Sequence, residues 1–410
     1  MKSLLAFCVT ALPLFAMAQT AATPLTMQQA IDLARTKNPT LLSVEQNLLS
    51  VKAQEIQAGV HQNPYLVLGG SNTTLGEYAN NPYAYTAGVG RLFERGDKRH
   101  WRLDVAKSTT LQTESQYHTQ EQQTILAVRD AFSSLILAKA AKKLADDNLT
   151  DYKRELGIAN DRLKAGDLAK LDYERLDLQL AQFESDESNA ATNEQQASIQ
   201  LQTLLGIAHP TLDFDVTGDV VPPAIADTMD GLEQKAIAAR PDLKAAQYGV
   251  AVADANVKLA YANGTADPTL ELDYNRNGPD NSLGFSFNIP LRLFDKNQGN
   301  KKTAEFTASA SRFILTAAQN QVISDVHQGW FGYLNAKVLA DRYNGHYLDE
   351  AKDVLDIAKF SYEHGGIALI DYLDAVRDYR SVTSDALNAY GQAWMAIHQL
   401  SYVTATNVAP

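Results

Sequence analysis

A pair of segments in which apolar and polar residues alternate appears once in each half of the chain. In the second half, apolar residues occupy every second position over residues 270–275 and over residues 283–289. Successive side chains of a strand point to opposite faces, so these two segments predict a β-hairpin with one apolar and one polar face. A weaker copy of the pattern covers residues 65–72 and 83–92, joined by a polar loop, Thr73–Pro82.

A second pattern, with apolar residues three and four positions apart, predicts long helices. Ile125, Val128 and Phe132 are an example, and the two tracts of this kind, residues 83–209 and 291–409, contain none of the 13 prolines. Because proline interrupts helices, each tract predicts helices far longer than the roughly 8–20 residues typical of globular proteins. Helices on the order of 100 Å long must pack side by side, as a bundle or a hollow cylinder of coiled coils.

The chain also repeats itself, at an offset of about 200 residues. Three segments of the first half return in the same order in the second: 30–41 as 236–243, 91–95 as 292–296, and 166–173 as 365–372. This order indicates a tandem duplication. The predicted divisions are a first repeat at 19–206 (strands about 64–92, helical hairpin about 97–206), a connecting segment at 207–228, and a second repeat at 229–410 (strands about 268–291, helical hairpin about 297–403).

The N-terminus predicts export. Lys2 precedes an apolar run at 4–16, and Ala16-Met17-Ala18 has the small-residue form of a signal-peptidase site, so residues 1–18 are expected to be cleaved. The only cysteine, Cys8, lies in this segment. The mature chain is therefore expected to have neither disulfides nor a lipidated N-terminal cysteine. No later apolar run is long enough for a transmembrane helix, so any membrane insertion must use strands.

Composition and motifs narrow the function. The chain has 36 basic and 48 acidic side chains and a net charge of −12, without basic runs, which argues against nucleic-acid binding. The eight histidines show no metal-binding spacing, and neither a phosphate-binding loop nor a nucleophile motif is present. We therefore expect no catalytic residue, no metal site and no cofactor.

The predicted strands require several copies of the chain if they lie in a membrane. Each chain supplies four strands, about eight form the smallest ordinary barrel, and lipid does not tolerate unpaired edges. Three copies would supply twelve. The alternative is a small soluble sheet packed on the helices.

The ordered motifs resemble the TolC-like outer-membrane efflux proteins. Arg240-Pro241-Asp242-Leu243 is similar to the motif that opens the second repeat of that family, and residues 366–375 resemble its helix-turn-helix tip. Residues 289–299 look most like the CzcC-type branch of heavy-metal efflux. The resemblance extends from about Leu25 to Val403. A departure is the missing lipidation motif found in many members.

The resemblance implies a mainly α-helical fold with a small transmembrane β part. It implies a homotrimer in the outer membrane of a Gram-negative bacterium, with a twelve-stranded barrel in the lipid and an α-helical tunnel in the periplasm. Such a channel passively conducts metal cations or drugs, and its partners are a periplasmic adaptor and an inner-membrane pump of the resistance-nodulation-division type. The alternatives are a periplasmic helical-hairpin adaptor without a pore and, less favoured, a secreted binding protein or enzyme on a helical scaffold.

The resemblance also assigns a periplasmic gate. Asp371 and Asp374 lie three residues apart at the start of a helix and so share a face. By resemblance they would form two acidic rings in a trimer, which favour cations. Both carboxylates could instead stabilise the helix N-terminus. Tyr362 is a candidate latch or an interface tyrosine, and Asp172, the counterpart of Asp371, is a weaker candidate.

Two further sets of residues are candidates for contact with partners or cargo. The glycine turns, with Gly166, Leu168, Gly365, Gly366 and Ile367, would offer exposed aliphatic side chains to the adaptor, although each could be a simple helix break. Glu271 and Asp273 lie on the polar face of the third strand and are expected to face the lumen. A solvated face without function is the alternative for these two.

Overall fold

Long helices dominate the computed structural model, which describes residues 24–71 and 83–408. The proposed signal peptide and the loop Thr73–Pro82 lie outside the described residues. The helices are α1 Met27–Lys37, α2 Pro39–Gly59, α3 Lys98–Ala165, α4 Lys170–Leu204, α5 Met229–Ala239, α6 Pro241–Asn263, α7 Gln298–Arg342, α8 Leu348–Glu363 and α9 Leu369–Val403, and a π-helical turn, Tyr343–Tyr347, joins α7 to α8. The strands are β1 Tyr65–Ser71, β2 Ala84–Leu92, β3 Thr269–Asn277 and β4 Asp280–Asn288.

The same sequence of elements occurs twice. Each half has a short helix, a second helix that begins with proline, a hairpin, a very long helix, a glycine turn and a last long helix. Thr26 and Thr228 cap the two short helices by accepting a backbone N–H three residues on. Asp97 and Asn297, which precede the two long helices, both adopt left-handed φ values, 55° and 62°. The local conformations therefore repeat together with the sequence motifs.

The helices pack along their length rather than around one centre. α3 has 68 residues and extends on the order of 100 Å. It packs against α2, α4, α6 and α9. The buried apolar residues form separate clusters, one around Val128 and Leu201, another around Val326 and Leu400, and a third near the glycine turns. None of the helices in the described ranges is both long and apolar enough to cross a membrane.

The four strands form one antiparallel sheet in the order β1-β2-β3-β4. One row across the four strands, from β1 to β4, consists of Tyr65, Gly90, Glu271 and Ser286. This register collects the polar residues on one face and the apolar ones on the other. Large side chains of the apolar face are exposed in the single chain: Leu66 66%, Leu68 72%, Leu272 60%, Leu283 88%, Phe285 79% and Phe287 59%. The predicted two-faced hairpins, and the mainly helical fold class, are confirmed.

A buried arginine holds the start of the second repeat in place. The Arg240 guanidinium is 2.5 Å from the Asp242 carboxylate and 2.7 Å from that of Asp325 on α7. Burial alone would lower the pKa of Arg240, but the hydrogen bonds to both carboxylates raise it above its usual range. The same bonds outweigh the opposing effect of burial on Asp242 and lower the pKa of that carboxyl. The motif at 240–243 therefore ties α6 to α7.

Candidate functional site

The two glycine turns at the far end of the long helices have the same geometry. Gly166 and Gly365 have φ values of +88° and +74°. After each, a backbone N–H reaches back across the helix end: Asp167 donates to Arg162 O at 2.8 Å, and Gly366 makes the equivalent bond at 2.7 Å. A Cβ at Gly166 or Gly365 would meet nothing within 4 Å, so the left-handed backbone rather than lack of space favours glycine there.

The aliphatic residues predicted to be exposed at these turns are not the most exposed ones. Leu168 and Ile367 are only partly exposed because they pack against the nearby apolar cluster. Leu171 and Ile370, which the sequence analysis did not name, are more exposed, at 59% and 56%. The role of Gly166, Leu168, Gly365, Gly366 and Ile367 in adaptor contact stays a prediction.

One apolar cluster, which we call the tip core, joins the two helical hairpins just before the turns. Its buried members come from both halves of the chain: Tyr152, Ala159, Leu176, Phe183, Leu369, Tyr372 and Val376. The Tyr152 and Phe183 rings stack with centroids 4.3 Å apart. The Tyr152 hydroxyl donates to Leu176 O at 2.8 Å. The first hairpin, α3–α4, is thereby fixed internally, and the second, α8–α9, packs on it.

A charged group at the edge of the tip core also links the hairpins. Glu155 of α3 accepts a hydrogen bond from Lys359 of α8 at 2.5 Å, and its other oxygen accepts the Tyr372 hydroxyl of α9. The bond to Glu155 raises the pKa of Lys359. Burial, together with the Glu155 charge, raises the pKa of Tyr372 well above its usual range. The raised pKa values keep Lys359 charged and Tyr372 neutral at neutral pH, so that both side chains can donate to Glu155.

Tyr362 lies inside this link. Its ring stacks on that of Tyr372, with centroids 5.3 Å apart and planes 4° from parallel. The Arg162 guanidinium of α3 is 6.0 Å from the Tyr362 ring centroid. The Tyr362 hydroxyl is buried and has no hydrogen-bond partner in the described part of the chain, and burial raises its pKa. The predicted latch residue thus lies between the two hairpins, and its function stays a prediction.

The two predicted gate carboxylates have different surroundings. Asp371 is exposed and accepts the Ala368 N–H at 3.3 Å, as a residue that caps its own helix does. Asp374 is half-buried and lies 3.1 Å from the Arg377 guanidinium. The helix-capping alternative therefore accounts for one contact of Asp371 but for none of Asp374. In the first repeat, Asp172 makes a longer ion pair, with its carboxylate 3.9 Å from the Arg175 guanidinium.

Glu271 and Asp273 lie on the polar face of the sheet, as expected. The Tyr65 hydroxyl donates to Glu271 at 3.3 Å. One Asp273 oxygen is buried without a hydrogen-bond partner in the described residues, and a Cβ at Gly88 would lie 2.5 Å from it. No cluster of three or more metal-binding side chains occurs within 24–71 and 83–408.

The chain is similar to known proteins over most of its length. The outer membrane efflux protein family model matches the chain twice, at residues 30–207 and 232–405. The chain is 26% identical over 339 residues to "Outer membrane protein TolC" of Vibrio cholerae, covering 78% of this chain and 76% of the relative. It is 25% identical over 381 residues to "Cobalt-zinc-cadmium resistance protein CzcC" of Cupriavidus metallidurans, covering 92% and 89%.

A solved structure of CusC has the same fold, with a TM-score of 0.80 at 18% identity and coverage of 92% of this chain and 91% of that one. The chain belongs to the outer membrane efflux protein family. It is therefore an outer-membrane efflux channel protein and not an enzyme, and the alternative of an adaptor without a pore is wrong. Channels of this family act as trimers, with an adaptor and an inner-membrane pump.

Sequence reasoning missed the residues that join the hairpins. Glu155, Lys359 and Tyr372 lie on mostly polar helices, and Glu155 and Lys359 are 204 positions apart. A signal was available for one of them, because Tyr372 follows the predicted gate residue Asp371 directly in sequence. Its aromatic side chain in the first turn of a helix fits an anchoring role.

Proposed function

We propose that three copies of this chain form one continuous exit channel for heavy-metal cations. Their sheets would close a twelve-stranded barrel in the outer membrane, and their helices would form the wall of a periplasmic tunnel. The pump at the inner membrane would be of the resistance-nodulation-division type. Export by a signal peptide and a mature chain without lipidation belong to the same proposal.

The sheet carries this proposal. Its apolar face is exposed along all four strands, with Phe285 79% and Leu283 88% exposed. β1 and β4 each have one edge without a partner among the described residues. In lipid an exposed apolar face is favourable, whereas an unpaired edge is not. Pairing of β1 in one copy with β4 in the next satisfies both edges and leaves the face with Glu271 and Asp273 toward the lumen.

The tunnel would close at the glycine turns. In a trimer, Asp371 and Asp374 of three copies would approach one another as acidic rings, with Arg377 reducing the charge at the second ring. The tip core and the Glu155 link would keep each second hairpin against the first, and Tyr362 would act there as the latch. Opening then requires α8 and α9 to separate from α3 at this link.

The turns themselves are the proposed contact with the adaptor. Gly166, Gly365 and Gly366 are exposed, and they leave the helix ends free of bulky side chains. Leu171 and Ile370 are exposed about one turn further along, and Leu168 and Ile367 pack against the tip core. A partner with a helical end and small apolar pockets fits this surface.

Cations are the proposed cargo, and drugs are the alternative. The relative CzcC is named for cobalt, zinc and cadmium resistance, and a second relative, from Escherichia coli, is named a cation efflux system protein, CusC. The carboxylates at both ends of the proposed path have the charge that favours cations. Deleting the gene in its native host would lower resistance to divalent metals. Unchanged metal resistance together with lower drug resistance would assign drugs instead.

A disulfide between β1 and β4 of neighbouring copies tests the assembly. The only native cysteine precedes the predicted cleavage site, so introduced cysteines have no background. Pairs made from Leu66 or Leu68 with Leu283, Phe285 or Phe287 sample the register. Oxidation in outer-membrane fractions should give a covalent trimer for at least one pair, and pairs across β2 and β4 are the control. A soluble periplasmic monomer with no cross-linking would rule the proposal out.

A further inference from the structure

The end of the sheet from which the long helices leave carries a local excess of positive charge. Residues 91–102 and 289–302, which lead from the strands into α3 and α7, contain nine basic and three acidic side chains. The whole chain has 36 basic and 48 acidic side chains. Asn297 donates to Ala260 O at 2.7 Å, so the end of α6 lies in the same region. We call these two segments, with Lys258 and Tyr261 of α6, the junction collar.

Several collar cations are not neutralised by carboxylates. Lys98, Arg102, Arg292 and Lys302 are in ion pairs. Six others form none within the described part of the chain: Arg91, Arg95, Arg99, Lys258, Lys296 and Lys301. All of these except Lys301 are exposed. The exposed collar therefore presents a net positive charge to whatever covers it.

Aromatic rings hold three of these cations. Arg91 lies 5.2 Å from the Phe93 ring centroid. Lys258 lies 4.7 Å from the Trp101 ring, and Lys301 lies 5.0 Å from the Tyr261 ring. A ring positions a cation without cancelling its charge, so these groups stay able to bind an anion.

The collar continues the apolar face of the sheet. Arg91 lies opposite Leu270 in the register and therefore on the same face as Leu272 and Phe287. Directly after β4, Leu291 and Phe294 are 78% and 91% exposed. Unpaired cations next to exposed aromatic and aliphatic side chains are the combination found at the boundary between lipid tails and water.

We propose that the junction collar binds anionic glycerophospholipids in the periplasm-facing leaflet of the outer membrane. The phosphate would contact the unpaired cations, and the acyl chains would lie on the exposed apolar residues and the apolar face of β4. This inference rests on the proposed barrel. Free phosphate would contact only the cations. A lipid would also cover Leu291 and Phe294, and so explains why these two apolar side chains are exposed next to the cations. A lipid contact here would hold the channel at a fixed depth.

Native mass spectrometry of the purified full-length trimer tests the inference. The trimer in detergent is titrated with phosphatidylglycerol or with phosphatidylcholine of the same acyl chains. The test variant combines Arg91→Gln, Arg99→Gln, Lys258→Gln and Lys296→Gln. The control combines Lys52→Gln, Lys143→Gln, Lys244→Gln and Lys352→Gln, which removes the same charge from exposed helical lysines that form no ion pair in the described residues.

Wild type should bind phosphatidylglycerol more tightly than phosphatidylcholine. A cation near a lipid surface contributes about fivefold in affinity, so the test variant should lose at least about tenfold for phosphatidylglycerol. The control should keep its affinity. Equal losses in both variants, no preference in wild type, or displacement of the lipid by inorganic phosphate at the same concentration would overturn the inference. So would dissociation of the test variant into monomers in lipid-free detergent, because the collar would then be a contact between copies.

The conductance of wild type in phosphatidylcholine bilayers is measured separately. If wild type conducts but shows no lipid preference, only the proposed lipid binding at the junction collar is contradicted. If neither wild type nor the variant that combines Asp371→Ala with Asp374→Ala conducts, the proposed barrel itself is contradicted.

Discussion

The two repeats have the same elements but differ along their longest helices. In the first repeat α3 runs without interruption from Lys98 to Ala165. In the second, the corresponding stretch is divided into α7 and α8 by the π-helical turn Tyr343–Tyr347. Such turns interrupt the regular hydrogen bonding of a helix and often occur at functional sites. The first repeat therefore provides a continuous rod, and the second has a joint between its sheet end and its tip.

The repeats also differ on the sheet side of this joint. At the start of α2, Asn38 caps the helix and donates to Leu204 O at 2.8 Å. At the equivalent position, Arg240 makes two ion pairs. The second repeat is thus fixed more strongly at its start and, beyond its joint, is held to the first hairpin by the Glu155 link and the tip core. The two halves therefore differ in one having a continuous long helix and the other an interrupted one, and we expect the interrupted half to be the one that moves.

Loss of Arg240 should have the largest effect on stability. Arg240→Ala removes the partner of Asp242 and Asp325 and should destabilise the protein by about 3 kcal/mol. Asn38→Ala, at the matched position, removes a helix cap and should cost only about 1 kcal/mol. Chemical denaturation of the purified variants measures both. Equal losses would mean that the two repeats are fixed equally well.

Breaking the Glu155 link should release the second hairpin. Glu155→Gln keeps the shape but removes the charge that binds Lys359, which weakens the link by about 1 kcal/mol after allowance for its partial exposure. Single-channel recordings should show more frequent openings. Glu184→Gln is the control, because Glu184 pairs with Lys153 within the first hairpin at 3.4 Å. An equal effect of the control would remove the link from gating.

The ion pairs of Arg240 should make the free energy of unfolding depend on pH in the acidic range. The pKa of Asp242 is lowered in the folded protein, so its stabilising contribution is complete above the ordinary aspartate pKa of about 3.9 and is lost as pH falls through the lower folded value. Unfolding measured from pH 6 to pH 3 should therefore show a steeper loss in wild type than in Arg240→Ala. Parallel curves would contradict this contribution.

The smallest effect is expected at the joint itself. Gly345→Ala and the matched Gly157→Ala in α3 both replace a helical glycine at which a Cβ meets nothing within 4 Å. Each should stabilise its helix by about 0.5–1 kcal/mol. Only Gly345→Ala should slow amide hydrogen exchange at Tyr343–Tyr347. If exchange there is already as slow as in the middle of α3, the turn is not a joint.

Local sequence patterns predicted most of the fold, but they could not predict contacts between residues far apart in the sequence. The alternation at 270–275 was sufficient for strands, and the glycines at 166 and 365 for turns, because both signals are read from neighbouring residues. The partners of Glu155 could not be predicted, since a polar residue on a polar helix has the same pattern whether it faces water or a second hairpin. The sequence also could not show that Leu168 and Ile367 pack partly against the tip core while Leu171 and Ile370 are more exposed. All four are aliphatic residues close to a glycine turn, and only the folded chain distinguishes them.

The most direct test of a gated cation channel is the conductance of the variant that combines Asp371→Ala with Asp374→Ala. Purified trimers are recorded in planar bilayers, with divalent cations added on the side of the helical tips. The acidic rings predict a higher single-channel conductance and weaker block by divalent cations in this variant, and a smaller change for Asp172→Ala in the first repeat. Conductance and block equal to those of wild type would contradict a gate at these carboxylates.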